Sequence, residues 1–487
     1  MPVIYEPTLE SLKQHPIPDW FKDAKFGIMI SWGLYSIPAW AVPCGPQPEV
    51  AKKKGYRYVY RNNPYAEFYW NSQKIKGSPT RQFHIQNYGK QFAYPEFAEQ
   101  FNAAAERWDP GAWAGQFCRI GARYVVLVTK HHDGFLLWPS RTPNPHRPDF
   151  HTRRDVVGEL AEAVRARGLH MGLYYSGGPD WWFEPRTIAD EIDFIQAIPQ
   201  SPEYVDYVNR HWHELFEKYQ PSILWNDIGF PVGLDVKALY ADYYNQIPDG
   251  VINDRAFQAD LRKLAASAPG HLLIRILLKL AMKSLSSGKP IKGLHADFRT
   301  PEYTTINRLT DVKWEATRGL GYSFGYNRNE TAEHMLSVEQ LVRMLVDIVS
   351  KNGNLLLCVG PAADGSIPGL QMERLNGLGD WLSINGEAIF DTHPWTTADS
   401  KTTDGTPVRF TVKGDHLYTI LLGTPSQREI RFPSLDFAPG TTIQLLGHPA
   451  DLTVTHGDGQ TIIHLPELPV PSPAHTLKIS PIPERKA

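Results

Sequence analysis

Six short runs between residues 25 and 361 are apolar at nearly every position and then stop abruptly at polar or turn-forming residues. They are KFGIMISWG (25–33), GARYVVLVTKHHDGF (121–135), LHMGLYYSGG (169–178), SILWND (222–227), GVINDR (250–255) and NGNLLLCVGP (352–361). Runs this continuously apolar suit strands buried on both faces. Between them lie RDVVGELAEAVRARG (154–168) and YVDYVNRHWHELFEKY (204–219), segments of helical character, the first with apolar positions recurring at three and four. Alternation of this kind builds parallel βαβ units, and the most economical closure of so many units is an α/β fold, a (β/α)8-like barrel.

After residue 390 the pattern changes to short alternating strands with turn chemistry between them, as in VRFTVKGDHLYTILLG and LTVTHGDGQTIIHLPE. That predicts a C-terminal antiparallel β-sandwich. The expected division is therefore a catalytic domain over 1–390 and a sandwich over 391–487, with the boundary near the polar stretch 392–405. A segment at 258–292 fits neither theme. In it Arg275, Lys279 and Lys283 recur every four residues as one basic stripe on an otherwise apolar helix. It reads either as a membrane-surface or partner-binding helix or as an insertion packed on the barrel with its basic edge in water.

Composition removes several classes of function. A net charge of −2 leaves no electrostatic footprint for nucleic acid. Three cysteines without a CxxC pair argue against a disulfide framework or a structural zinc site. No run reaches the length of a membrane span, and the amino-terminal MPVIYEPTLESLKQHP has no apolar core of a signal peptide. The expectation is a cytoplasmic protein, with secretion by an unrecognised route left open, as is a homo-oligomeric state. The 14 Trp and 22 Tyr serve either packing or a sugar-binding cleft, and composition does not separate the two.

In a barrel, side chains at the carboxyl ends of strands converge on one face, which hosts the active site. Here those ends supply Ser31, Trp32, His131, His132, Asp133, Tyr174, Tyr175, Ser176, Asn226, Asp227, Asn253, Asp254 and Arg255, and HADFRTPEY (295–303) adds Asp297, Arg299 and Glu302. Several have plain structural readings. Asp133 before Gly134 suits a turn, Asp254 can pair with its neighbour Arg255, and Trp225 suits a core. His131 and His132 are not expected to bind metal: adjacent residues leaving a strand point in opposite directions, there is no HExxH, and no third ligand is visible. Neutral imidazoles that both donate and accept suit sugar hydroxyls better. Asp227 and Glu302 stand out, because two carboxylates in different environments are the working parts of glycoside hydrolysis.

The blocks WFKDAKFGIMISWGLYSIPAW, NPYAEFYWNS, VLVTKHHDGFLLWPS, RRDVVGEL, GLYYSGG, LWNDIGF, NDR, DFRTPEY, KWEATRGLGYSFGYNRNE and VSKNGNLLLCVGP together resemble the α-L-fucosidases of glycoside hydrolase family 29, in family order over residues 10 to 390. The resemblance implies a retaining exo-α-L-fucosidase acting on fucosylated oligosaccharides or glycoconjugates, without a cofactor or metal. It assigns Asp227 as nucleophile and Glu302 as acid/base, with Glu315 of KWEATRG as the competing acid/base. It carries the fucose-binding positions onto Glu67, Phe68, His131, His132, Tyr174, Trp225 and Arg255. Ser31 stands where the family block usually has histidine, in SWG rather than HWG. That replacement, with an insertion between Arg255 and Glu302, sets up the alternative of a catalytically impaired fucose-binding relative.

Overall fold

A computed structural model describes residues 3–285, 295–457, 460–468 and 472–485. Its first part is a parallel seven-stranded sheet of β1 (Phe26–Ile30), β2 (Tyr124–Lys130), β3 (His170–Ser176), β4 (Ile223–Asp227), β5 (Val251–Ile252), β6 (Trp314–Gly319) and β7 (Gly353–Val359). The order β5-β4-β3-β2-β1-β7-β6 leaves β5 and β6 at the two edges. Residues 297–303 run between those edges without forming a regular strand. Asp297 N–H donates to the Ile252 carbonyl at 2.9 Å, and Arg299 N–H to that of Lys313 at 3.0 Å. Parallel bridges join Asn253 to Phe298, Arg299 to Trp314 and Glu302 to Thr317. This irregular segment stands in the eighth position of the barrel and carries Glu302.

The period-two alternation of each strand separates two cores. Met29, Tyr124, Val126, Tyr174, Ile223, Trp225 and Leu356 pack together on the inner face. Ile28, Val125, Leu127, Leu173, Leu224 and Leu357 face outward into a layer shared with the helices. Two of these helices have starts their sequences specify. The helix α1 (Val156–Arg165) begins at Asp155, whose side chain accepts from Gly158 N–H, and α2 (Pro202–Tyr219) begins at Ser201 with proline in its first turn.

Within the polar stretch 392–405, where the sequence places the domain boundary, residues His393–Lys401 form β8, the edge strand of a five-stranded antiparallel sheet. Trp395 and Ala398 are the buried positions of that strand, and its remaining polar residues suit a sheet edge. That sheet and a three-stranded one share a core around Phe410, Leu417, Leu421, Ile430, Ile463 and Ile479. Tyr418 and Ile420, on the opposite face, join the core of the barrel's helical layer. An ion pair fixes the same contact: Arg409 Nε donates to Asp347 Oδ1 at 2.7 Å.

The segment from 258 onward forms the helix α3 (Ala268–Leu285). Its remainder at 286–294, and the side chains of Lys279 and Lys283, lie outside the described residues. Of the three residues of the expected basic stripe, Arg275 alone has a described side chain, and the apolar residues of α3 divide: Ile274 packs against Ile192 and Ala265. Leu272, Leu273, Ile276 and Leu277 are exposed, whereas Arg275 pairs with Glu191 at 2.5 Å.

Candidate active site

Strand β4 delivers Asp227 to the carboxyl end of the barrel, in register with Ser176 of β3. The chain turns immediately after it. Ile228 takes φ of 56°, a conformation that a β-branched residue rarely adopts. The turn is held by Ile228 N–H donating to Asp227 Oδ1 at 3.0 Å and by Gly229 N–H donating to the Arg255 carbonyl at 3.0 Å. The exit of β3 must come very close to it: a Cβ on Gly178 would sit 2.4 Å from the Ile228 carbonyl oxygen. Glycine is what allows the two strand ends to meet.

Both oxygens of Asp227 are engaged. Arg255 Nη1 donates to Oδ1 at 2.8 Å, and the Tyr174 hydroxyl donates to Oδ2 at 2.7 Å. Arg255 also reaches Glu302, with Nη2 at 2.9 Å from Oε2. The Tyr65 hydroxyl donates to the other oxygen of Glu302 at 3.0 Å. Two carboxylates from β4 and from the irregular eighth segment thus meet on one guanidinium. Burial opposes the Arg255 charge, yet Asp227 and Glu302 together push its pKa upward, so it stays a cation.

Beneath this trio lies an aromatic floor. Trp225 stacks on Tyr174 with ring centroids 5.3 Å apart, and the Arg255 guanidinium sits 4.7 Å above the Trp225 ring. At 1% exposure, Trp225 is core, as its strand position alone suggests, and it supports both groups that hold Asp227. Its indole N–H donates to Glu315 Oε1 at 3.0 Å, and the Tyr124 hydroxyl donates to Oε2 at 2.6 Å. Glu315 is therefore inside the barrel with both oxygens occupied and no exposed surface. Burial pushes its carboxyl up to about 7 against those hydrogen bonds.

One wall carries the other expected sugar contacts. His131 and His132 do not point apart as their adjacency predicted: their rings are 4.0 Å from one another and both meet the Phe68 ring edge-on. The pleat ends at Lys130, after which a turn brings both side chains to the same region. His132 Nδ1 lies 2.6 Å from Ser176 Oγ. Among the described residues, His131 Nδ1 is buried without a partner. An unsatisfied buried polar atom suits a ligand hydroxyl. Burial, with His132 beside it, holds His131 well below the usual imidazole range, and burial followed by Lys130 lowers His132 to about 3. Both rings are neutral at pH 7.

Glu67 Oε2 accepts from Gly325 N–H at 3.0 Å and from Ser323 Oγ at 3.3 Å, and burial pushes its carboxyl up to about 7. Ser31 is buried, with its hydroxyl 2.9 Å from that of Tyr35. Asp254 does not pair with Arg255. It accepts from Arg299 Nε at 2.6 Å and from the Thr300 hydroxyl at 2.6 Å, which anchors the segment leading to Glu302. Asp133 does serve a turn, accepting from Phe135 N–H at 3.1 Å, and also takes the Tyr94 hydroxyl at 2.7 Å. Sequence reasoning missed Tyr65 and Tyr35, whose residue type in an aromatic-rich chain signals packing.

The family model for alpha-L-fucosidase matches residues 2–387. This chain belongs to the alpha-L-fucosidase family. It is 32% identical over 482 residues to the tissue alpha-L-fucosidase of Homo sapiens, covering 96% of this chain and 88% of the human one. The plasma alpha-L-fucosidase of Rattus norvegicus is 33% identical over 483 residues, covering 96% and 91%. Among solved structures, the Thermotoga maritima alpha-fucosidase in complex with fucose is 42% identical with a TM-score of 0.81, covering 98% of this chain and all of the other. The barrel and the C-terminal β-structure are common to this family, and membership gives the two bridged carboxylates a chemical context.

Proposed function

We propose that this member of the α-L-fucosidase family is a retaining exo-hydrolase that removes terminal α-L-fucosyl residues from fucosylated glycans, with Asp227 as nucleophile and Glu302 as acid/base. The observation that carries the reading is the single guanidinium of Arg255 shared by the two carboxylates. In the first step Asp227 attacks the anomeric carbon while Glu302 gives its proton to the glycosidic oxygen, and the aglycone leaves. In the second, Glu302 takes a proton from water, the water oxygen attacks the same carbon, and the bond to Asp227 breaks. The two inversions together retain configuration.

Arg255 suits this cycle. At the outset Asp227 bears the negative charge and Glu302 the proton. In the intermediate Asp227 is an ester and Glu302 is the anion. One cation in contact with both faces a single negative charge at each stage, so little charge has to be moved or resolvated. Tyr174 and Tyr65 each hold one carboxylate from the side opposite Arg255. Glu315, with both oxygens occupied inside the barrel, supports a structural reading rather than the acid/base role. His131, His132, Glu67, Phe68 and Ser31 form the proposed cradle for the fucose ring, where neutral imidazoles donate to or accept from its hydroxyls.

The alternative of an impaired relative finds no support. The insertion leaves Glu302 on Arg255 and Tyr65, and the shorter Ser31 is hydrogen-bonded to Tyr35. Proton NMR of an aryl α-L-fucoside during the first turnovers tests the proposal. The first fucose formed is the α anomer if the pair works by double displacement, and β-fucose as first product contradicts it.

A further inference from the structure

Both hydrogen bonds on Glu67 Oε2 come from one loop, residues 321–325: Gly325 N–H at 3.0 Å and Ser323 Oγ at 3.3 Å. Ser323 Oγ also accepts from Ala66 N–H at 2.9 Å and lies 2.7 Å from the Gly325 carbonyl. One hydroxyl thus ties the turn that presents Glu67 to the loop that holds it. A segment of five residues with glycine at 321 and 325 has many conformations open to it, so something must fix this one.

A third carboxyl does so. Glu330 Oε1 accepts from Tyr322 N–H at 2.7 Å and from Ser323 N–H at 2.9 Å. The loop wraps it closely: a Cβ on Gly321 would lie 2.2 Å from Glu330 Oε2. Glu330 is itself anchored, since its N–H donates to the Asn327 carbonyl at 3.1 Å and Asn327 Oδ1 accepts from Ala41 N–H at 3.1 Å. Among the described residues no cation pairs with Glu330, and its charged neighbour is Glu67. Burial pushes the Glu330 carboxyl up to about 8 against its two hydrogen bonds, and Glu67 adds to the rise. A protonated carboxyl keeps an acceptor oxygen, so the loop is held without a second negative charge beside Glu67.

We infer that Glu330 is a positioning residue for sugar binding, which fixes loop 321–325 so that Ser323 and Gly325 hold Glu67 against the fucose ring. This rests on Glu67 belonging to the proposed cradle. Isothermal titration with L-fucose of the full-length wild type, Glu67→Ala, Glu330→Ala and the double variant tests it, with circular dichroism to confirm folding. Glu330→Ala is expected to raise the Kd roughly tenfold, the equivalent of one hydrogen bond lost. Glu67→Ala is expected to raise it at least as much, and the double variant no further than Glu67→Ala, because Glu330 acts through Glu67. Glu330→Gln, which keeps an acceptor oxygen, is expected to stay within about twofold of wild type. If Glu330→Ala does not fold, Glu330→Asp, whose carboxyl is withdrawn by one methylene, carries the same expectation. Unchanged fucose affinity in these Glu330 variants, losses that add in the double variant, or a Glu330→Gln as weak as Glu330→Ala overturns the inference. Unchanged affinity in Glu67→Ala overturns the cradle reading and this inference with it, whereas the double-displacement reading stands or falls separately on the anomer first released.

Discussion

Arg255 joins Asp227 to Glu302: its Nη1 is 2.8 Å from one carboxylate and its Nη2 2.9 Å from the other. Lysine offers one ammonium in place of a planar fork, so it cannot hold both partners in this geometry. Lysine keeps the charge but gives up at least one of the two charge-assisted hydrogen bonds, at a penalty of about 1.5–3 kcal/mol. Arg255→Lys is therefore expected to lower kcat/KM by roughly 10- to 100-fold. Steady-state kinetics on an aryl α-L-fucoside reads this out, and a variant within a few-fold of wild type would show that the shared guanidinium is incidental.

Glu302→Gln separates an acid/base from a merely structural carboxylate. A general acid matters most when the leaving group is poor, because a good leaving group departs without a proton. The variant should lose far more activity, by about 100-fold or more, on a natural fucosyl linkage than on an activated aryl fucoside in the leaving-group step. Pre-steady-state measurement of aryl release against the leaving group's acidity shows the difference. Equal losses on both substrates would remove Glu302 from the role.

Glu315 gives a pH signature in stability rather than in rate. Its folded pKa, pushed up to about 7 by burial, lies above its ordinary value of 4.5. The native state therefore holds a proton that the unfolded chain releases between those values. The stability it contributes is fully present below pH 4.5 and is lost as pH rises through 7, up to about 3 kcal/mol in total. Glu315→Gln does not titrate. Relative to it, the wild type should lose stability between pH 5 and pH 8 in urea unfolding, and a pH-independent difference contradicts the burial argument.

Much of this arrangement is legible in the sequence, for reasons particular residues make plain. Strand β4 ends at Asp227 because its apolar run stops there, and the runs around Val126, Leu173 and Leu357 are apolar at nearly every position because both faces of the sheet are covered. Local pattern could not show what depends on contacts distant in sequence. Asp254 pairs with Arg299 across 45 residues rather than with its neighbour. Tyr65 reaches Glu302 across 237, from a block in which tyrosine reads as packing. The two histidines share a wall because a turn follows Lys130, where strand geometry no longer sets side-chain direction. Trp225 serves as a floor under Arg255 and Tyr174, a role that follows from the cross-strand pairing of β3 with β4.

The central claim is that Asp227 forms a covalent bond to fucose. A 2-fluoro-fucosyl fluoride slows both steps but keeps a good leaving group for the first, so it accumulates the intermediate. Mass spectrometry of the inactivated protein, followed by peptide mapping, is expected to show one added 2-fluorofucosyl group carried on Asp227 in the peptide spanning LWNDIGF. A label on another residue, or turnover with no covalent adduct at any time, would contradict the account.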